Sequence, residues 1–518
     1  MARILGQFGT ATAPYALRGA PGPCEEPATR VLRGRGWALA GGRADRREGV
    51  AAVLAGAVDV RLPLLSRIEA GGRPVAERNH AALLRAAFEA DGAGFAEGLR
   101  GGYAAAVVDA RGTPVLVLAS DEAGSVPLYY HWNSTREVLS FATELPALLA
   151  LLPDPPTLWT PGLDAYLTVG AALGGATLFE GVRVLPPGTT AVCEPGRAPR
   201  LLRRELAGAR RVPGPGAPDR ELLGGVPGGP GAPSPELPVR EPGRGPDPLS
   251  DPLDRRRARD LPALLPALLW RLGQPEADPD ALTAYAGRLP TGPAAAGPTT
   301  GPAGRLGSDL VVDTEAGRRR VAAAVGDPGE DWLARYAEGL APVGAEDRSR
   351  LYSADYRAYL AERGDTAGAL AARLGEAAAV RSRRSVLAAF EREELLPVRG
   401  LRRAAHLGGP GNRVPGDARR RVSELLVPGG ALTDLVREAL SPARLRASGL
   451  LSWRAVERLL AAQLARPSER QAGTIWALAV FELWREEYAV AVRRPVPPPV
   501  RAKSPAELPV LSRRTVSL

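Results

Sequence analysis

The sequence predicts an α+β chain in two parts. Paired antiparallel strands with helices fill the first 205 or so residues, and a mostly helical region follows residue 255 or so. Three observations carry this. Before residue 200, apolar runs of strand length come in pairs with turn residues between them. From Arg255 onward, amphipathic runs of helical length dominate. Between the two, twenty of the 37 residues from Val212 to Pro248 are Gly or Pro. Such a stretch cannot bury enough apolar surface to offset its ordering entropy, so it reads as a linker.

In chain order, Ala81 to Gly92 has helical spacing, with Leu83, Leu84, Ala87 and Phe88 on one face and Gly92 as the stop. Tyr103 to Ala110 and Thr113 to Ser120 are strand-length runs separated by Arg111-Gly112, a β-hairpin signal. PLYYHW and VLSFAT form a second pair around NSTRE, whose Asn and Ser favour a turn. Beyond Arg255 come RDLPALLPALLWRLGQP, RSRLYSADYRAYLAERG, VLAAFEREELL, ALTDLVREAL, SWRAVERLLAAQLA and GTIWALAVFELWREEYAVAV. The last carries a broad apolar face (Ile475, Leu478, Ala479, Val480, Phe481, Leu483, Trp484) and is expected to be a buried core helix. The tail after Arg493, with PVPPPV, is expected to be extended and disordered.

At 518 residues the chain is too long for one ordinary core, and two domains with linkers are expected. Its 60 glycines and 51 prolines are about a fifth of the residues. That exceeds the usual sum of roughly 12% without reaching the roughly 25–30% of low-complexity chains. Lys503 is the only lysine. The net charge of +10 comes from arginines scattered among Glu and Asp, with short runs such as Arg255-Arg256-Arg257 and Arg419-Arg420-Arg421. No aromatic-interleaved basic stripe accompanies them, so a solvated arginine-rich surface is expected rather than a nucleic-acid interface. Cys24 and Cys193 fit neither a disulfide framework nor a metal site, and His80, His131 and His406 lie far apart in sequence. No apolar run reaches about 18 residues, and the N-terminus lacks a signal-peptide core. A cytoplasmic location, with no membrane partner, is the expectation.

Gly101 to Leu149 contains Asp109, then Asp121, Gly124, Pro127, Leu128, Tyr129 and Tyr130, then Phe141, Ala142, Thr143 and Glu144. This order resembles the end of the class II glutamine amidotransferase domain of asparagine synthetases. There a strand ends in Asp, and Asp-x-x-Gly-x-x-Pro-Leu-Tyr-Tyr and Phe-Ala-Ser-Glu follow. TLFEGVRVLPPG (Thr177 to Gly188) is similar to the next block of that family, and AGSVPLY resembles its β-lactam synthetase branch. VLAGAVDVRLPLLSRI sits where the family has a Gly-x-x-Asn-Arg-x-x-Leu segment. WRLGQPEADPDALTAY, SPARLRASGLLSWRAVERLLAAQL and TIWALAVFELWREEY resemble synthetase-domain segments in the same order.

The resemblance implies an N-terminal sandwich of two antiparallel sheets between helices, and a truncated α/β synthetase-like domain that is mostly helical. The boundaries expected are 1–205 for the amidotransferase-like domain, 206–255 for the linker, 256–492 for the degenerate synthetase-like domain and 493–518 for the tail. It also implies two activities: glutamine hydrolysis to ammonia, and ATP-dependent activation of a carboxylate as an acyl-adenylate for attack by ammonia or an internal amine.

Glutamine hydrolysis in this family needs a cysteine directly after Met1, whose own α-amine serves as base. Ala2 stands there, and a methyl group cannot attack an amide. The amine of Cys24 is locked in a peptide bond. LAGAVDV replaces the Asn-Gly-Glu substrate segment expected near residues 54–60. Glutaminase activity is therefore not expected, and no catalytic residue is assigned. β-Lactam synthetases and lasso-peptide cyclases also lack a working glutaminase half yet still form amides.

Adenylation needs the pyrophosphate loop Ser-Gly-Gly-x-Asp-Ser-Ser, whose backbone N–H groups and hydroxyls hold phosphates. The chain has no Ser-Gly-Gly-x-Asp. GGVPGGPGAPSPE (Gly224 to Glu236) lies in its place, but Pro227, Pro230, Pro233 and Pro235 remove N–H donors. In GRLGSDLVVD, Gly307, Ser308 and Asp309 could match the Gly-Gly-Asp of a second family loop, with Leu310 where Glu is expected. Asp309 is then either a weak Mg²⁺ and nucleotide contact or a surface aspartate in a loop-to-strand turn. The expectation is a degenerate relative acting as an accessory or binding partner in biosynthesis. The alternative is an active amide-forming ligase that would use ATP and Mg²⁺.

Overall fold

The computed structural model describes residues 3–10, 30–70, 79–203, parts of 265–277 and 321–329, 331–390, 418–430 and 432–492. The expected linker at 206–255 and tail at 493–518 lie outside them.

The N-terminal region holds two six-stranded antiparallel sheets. The first runs β12(Val182–Val184), β10(Tyr129–Asn133), β11(Val138–Ala142), β1(Ile4–Gly9), β3(Trp37–Gly41), β2(Arg30–Gly34). The second runs β14(Arg200–Arg203), β13(Thr189–Cys193), β9(Val115–Ser120), β8(Tyr103–Asp109), β5(Val50–Gly56), β4(Arg43–Arg47). A small ribbon pairs β6(Asp59–Val60) with β7(Leu99–Arg100).

Both expected hairpins are present. β8 pairs with β9, and β10 with β11. Asn133 builds the second turn, its Oδ1 accepting the Arg136 N–H at 2.9 Å.

The apolar runs are continuous because the second sheet is buried on both faces. Along β8, Ala104, Ala106 and Val108 point inward against Ile4, Trp37, Leu39 and Phe141 of the first sheet. Tyr103, Ala105 and Val107 point outward. That outer face is covered by α1(Leu62–Ala70) and α2(His80–Asp91) through Leu64, Ile68, Leu84, Ala87 and Phe88. Asn79 caps α2 through its Oδ1, and Gly92 ends it at φ 58°. Full burial of a side chain such as Val53 or Leu84 contributes roughly 1.5–3 kcal/mol.

The outer face of the first sheet presents Leu5, Ala38, Ala40, Tyr129 and Ala142. The helices α3(Leu145–Leu149) and α4(Gly162–Val169) cover part of it. The rest is covered from far down the chain. The helices with defined bounds among the described residues there are α5(Trp332–Leu340), α6(Ala345–Leu351), α7(Ala354–Arg363), α8(Thr366–Val380), α9(Arg383–Phe390), α10(Ala418–Leu425), α11(Thr433–Ala439), α12(Pro442–Ser448), α13(Trp453–Ala465) and α14(Glu469–Glu487). Among the described residues after 265, every regular element is a helix; Ala491 and Tyr352 add isolated bridges to Thr157 and Leu451.

α14 is buried without a break from Thr474 to Trp484, as a core helix must be. Phe179 meets Trp484 and Tyr488 at ring-centroid distances of 5.0 and 5.3 Å. Tyr166 of α4 donates its hydroxyl to Ala477 O at 3.0 Å. Trp484 Nε1 donates to Gly273 O, and Tyr488 donates to Trp270 O. Asp164 gathers the neighbouring helices: its carboxylate accepts from Tyr352 Oη at 2.8 Å and from the Thr366 N–H at 2.6 Å.

RSRLYSADYRAYLAERG is two helices, not one. Tyr352 and Ser353 break it, and Ser353 Oγ accepts the Tyr356 N–H to start α7. No helix among the described residues is long and apolar enough to cross a membrane.

Candidate functional site

The head of β1 opens at one end of the sandwich. Ile4 donates its N–H to Thr143 Oγ1 at 3.1 Å, and Arg3 faces Glu144 at 3.9 Å. Ala2 comes immediately before and lies outside the described residues, as do Cys24, His406 and the Gly307, Ser308 and Asp309 group. No step of nucleotide chemistry is derived for that group.

Opposite β1, β5 of the second sheet ends at Gly56, φ 86°. A Cβ there would stand 2.1 Å from Gly102 O, so the turn requires glycine. Arg43, at the start of β4, donates through Nη1 to Gly56 O. The chain reaches Arg43 from β3 through Gly41-Gly42, crossing from one sheet to the other, and Arg30 of β2 sits in register with Gly41. α2 begins at the same place. Asn79 Oδ1 accepts the Ala82 N–H at 3.1 Å, and His80 Nδ1 stands 3.0 Å from Val58 O. A carbonyl can only accept, so the neutral His80 ring carries its proton on Nδ1.

Together Arg30, Arg43, Asn79 and His80, with the small Gly42 and Ala44, line an open cleft of about 570 Å³. No acidic side chain lines it among the described residues. The nearest carboxylate on β4, Asp45, is held by Arg85 at 2.6 Å, and Arg85 also grips the buried Glu89.

The motif residues serve the fold. The Asp121 carboxylate accepts N–H groups from Tyr103, Ala123 and Ser125 and the Ser125 hydroxyl, which ties the β8 start to the loop before β10. Gly124 adopts φ 58° inside that loop. Asp109 is bound twice by the Arg111 guanidinium, which holds its carboxyl below the usual carboxylate range. His131 stands on β10, where burial lowers its pKa. Burial pushes the Cys193 thiol up to about 12, so at neutral pH it holds no thiolate to act as a nucleophile.

Sequence reasoning assigned no site to this cleft. Arg30 and Arg43 lie on edge strands of different sheets, and no local pattern joins them. The Asn-His start of α2, a helix-cap signal, was the one readable clue.

Residues 49–200 match the family model of a glutamine amidotransferase domain. The matched stretch begins after β4 and is less than a third of the chain. An amidotransferase-like sandwich followed by a mostly helical region is thus the architecture. Among solved structures, the chain is similar to glutamine phosphoribosylpyrophosphate amidotransferase from B. subtilis, complexed with ADP and GMP. That similarity has 14% identity and a TM-score of 0.27 over 39% of this chain and 49% of that one. A second structure, an allosteric regulatory enzyme of purine biosynthesis, gives 15% identity and a TM-score of 0.25 over 39% and 48%. The chain thus spans about half the length of these structures, and overlap this slight says nothing of its chemistry. No curated protein matches the chain.

Proposed function

We propose that this chain is an asparagine-synthetase-related protein that does not hydrolyse glutamine and acts as an accessory or binding partner in a biosynthetic pathway. One observation carries the reading. The position before Arg3 and β1, where hydrolysis in the family requires cysteine, is Ala2. Two features support it. Cys193 is buried with a raised pKa and cannot substitute. The turn after β5 reads Ala55-Gly56-Ala57, with Gly56 at φ 86°, and supplies no polar side chain to a substrate amide.

The loss extends in this reading to ATP chemistry, because the Ser-Gly-Gly-x-Asp loop is missing from the sequence. Two assays on the purified full chain test it. Ammonia release from L-glutamine is expected at the rate of the buffer alone. ATP–pyrophosphate exchange is expected to be absent with candidate carboxylates. Exchange above background overturns the accessory reading and establishes carboxylate adenylation, the first step of an ATP-dependent amide-forming ligase.

A further inference from the structure

We propose that Glu482 of α14 is a proton-binding switch: protonated, it keeps the end of α14 locked to α12 and to the N-terminal region, and ionised, it loosens both. The inference goes beyond the proposed function and does not depend on whether the chain performs any chemistry.

The carboxyl group of Glu482 lies inside the core. Its side chain is 1% exposed, on a helix whose residues from Thr474 to Trp484 are all buried. The two hydrogen bonds it receives, from Arg485 Nε at 3.0 Å and Nη2 at 2.6 Å, both land on Oε2. Oε1 is buried with no hydrogen-bond partner. An ionised carboxylate is costly in such a place, because one oxygen carries charge with neither water nor a donor to meet it. A proton on Oε1 removes that charge and leaves Oε2 able to accept from Arg485.

The surrounding charges do not compensate. Arg485 and Glu486 act on Glu482 from α14 itself, and Arg444 acts from α12. Arg444 is already engaged by Glu438 of α11 at 3.2 Å and by Glu486. Three carboxylates thus share two guanidinium groups, and the buried one is bonded to one of them alone. Burial is the largest influence on Glu482, and it raises the pKa in spite of both arginines.

Arg485 joins this group to the rest of the fold. Its carbonyl accepts the Val490 N–H at 2.8 Å, so the residue that holds Glu482 also shapes the turn after α14. In that turn Ala489 adopts φ 47°, a left-handed conformation that alanine rarely takes, so the turn is held under strain. Directly beyond it, Ala491 donates its N–H to Pro156 O at 3.0 Å and accepts the Leu158 N–H at 2.9 Å. Tyr488 meets Phe179 and Trp270 at ring-centroid distances of 5.3 and 5.2 Å. A strap from Arg485 to Ala491 therefore ties a buried titratable group to the N-terminal region.

Because folding raises the pKa of Glu482, the clamp is complete below the ordinary glutamate value, about 4.3, and is lost as pH rises through the higher folded value. The test is hydrogen–deuterium exchange of the full chain between pH 4 and pH 8, in the parent and in Glu482→Gln. It is read on peptides covering residues 155–160 and 485–492. Comparing the two proteins at each pH cancels the intrinsic pH dependence of exchange. The ratio of protection, variant over parent, is expected to be lowest in acid and to rise with pH to a plateau. The rise is about tenfold for each unit by which folding raises the pKa. Three results overturn the inference: the ratio is the same at every pH, it falls as pH rises (which makes the ionised pair with Arg485 the stabilising form), or it rises equally in β8. Should the variant fail to fold, the parent alone decides. Protection of 155–160 relative to β8 must then fall as pH rises, and a constant value overturns the inference. Neither readout bears on ammonia release or pyrophosphate exchange, so a failure here leaves the proposed function standing.

Discussion

The two outer faces of the sandwich are covered in different ways. The second sheet is closed by α1 and α2, which sit in sequence beside the strands they cover. The first sheet is closed partly by α3 and α4 and partly by α14, and the bond from Tyr166 to Ala477 spans 311 residues. One face is assembled from local pieces; the other needs both ends of the chain. Such a core cannot be divided between residues 203 and 265 without exposing Phe179, Tyr166 and the aromatic edge of α14.

Four measurements test this contrast. The largest effect is expected for Trp484→Ala, which empties a site packed between Phe179, Phe481 and Tyr488. It should cost about 4 kcal/mol in urea unfolding and loosen the two halves together. If the N-terminal strands keep full hydrogen-exchange protection in that variant, the shared core is wrong.

Next is Arg85→Ala on the locally covered face. It strands the buried Glu89 and frees Asp45, at a cost of about 3 kcal/mol. Its loss of protection should stay within α2, β4 and β5.

Asp164→Asn tests the long-range side more gently. The amide keeps the shape but replaces a carboxylate that accepts from Tyr352 and Thr366. About 2 kcal/mol is expected, read as earlier melting of α6 to α8.

The smallest effect concerns Asp109 at the end of β8. Its folded pKa lies below the unfolded value, chiefly through the hydrogen bonds from Arg111. Its stabilisation is therefore complete above the unfolded pKa, near 4, and is lost as pH falls through the folded one. The pair is largely solvated, so Asp109→Asn should cost no more than about 1 kcal/mol at neutral pH. That difference should vanish in acid.

Much of the local architecture was legible in the sequence. The two hairpins follow from paired apolar runs and turn chemistry, and α2 from its apolar face and Gly92. α14 shows its burial by being apolar on nearly every side. The break at Tyr352-Ser353 also had a local sign, a serine three residues before a helical face. The edge strands β2 and β4 were hidden because RVLRG and RADRR are exposed and rich in arginine, which blunts the edges of a sheet but mimics a loop in sequence. The cleft was hidden for a different reason. Its lining is assembled only through a crossover between sheets and the start of a helix that follows some forty residues later. No periodicity records such a meeting.

The late position of α14 also bears on synthesis. A ribosome finishes β11 some 340 residues before it finishes the helix that covers the first sheet. At roughly 5–20 residues per second, that interval is on the order of tens of seconds. Once Phe179 is made, the nascent chain carries Leu5, Tyr129, Tyr166 and Phe179 without the helix that completes their cover. Messages truncated before residue 469 should yield protein that leaves this face uncovered.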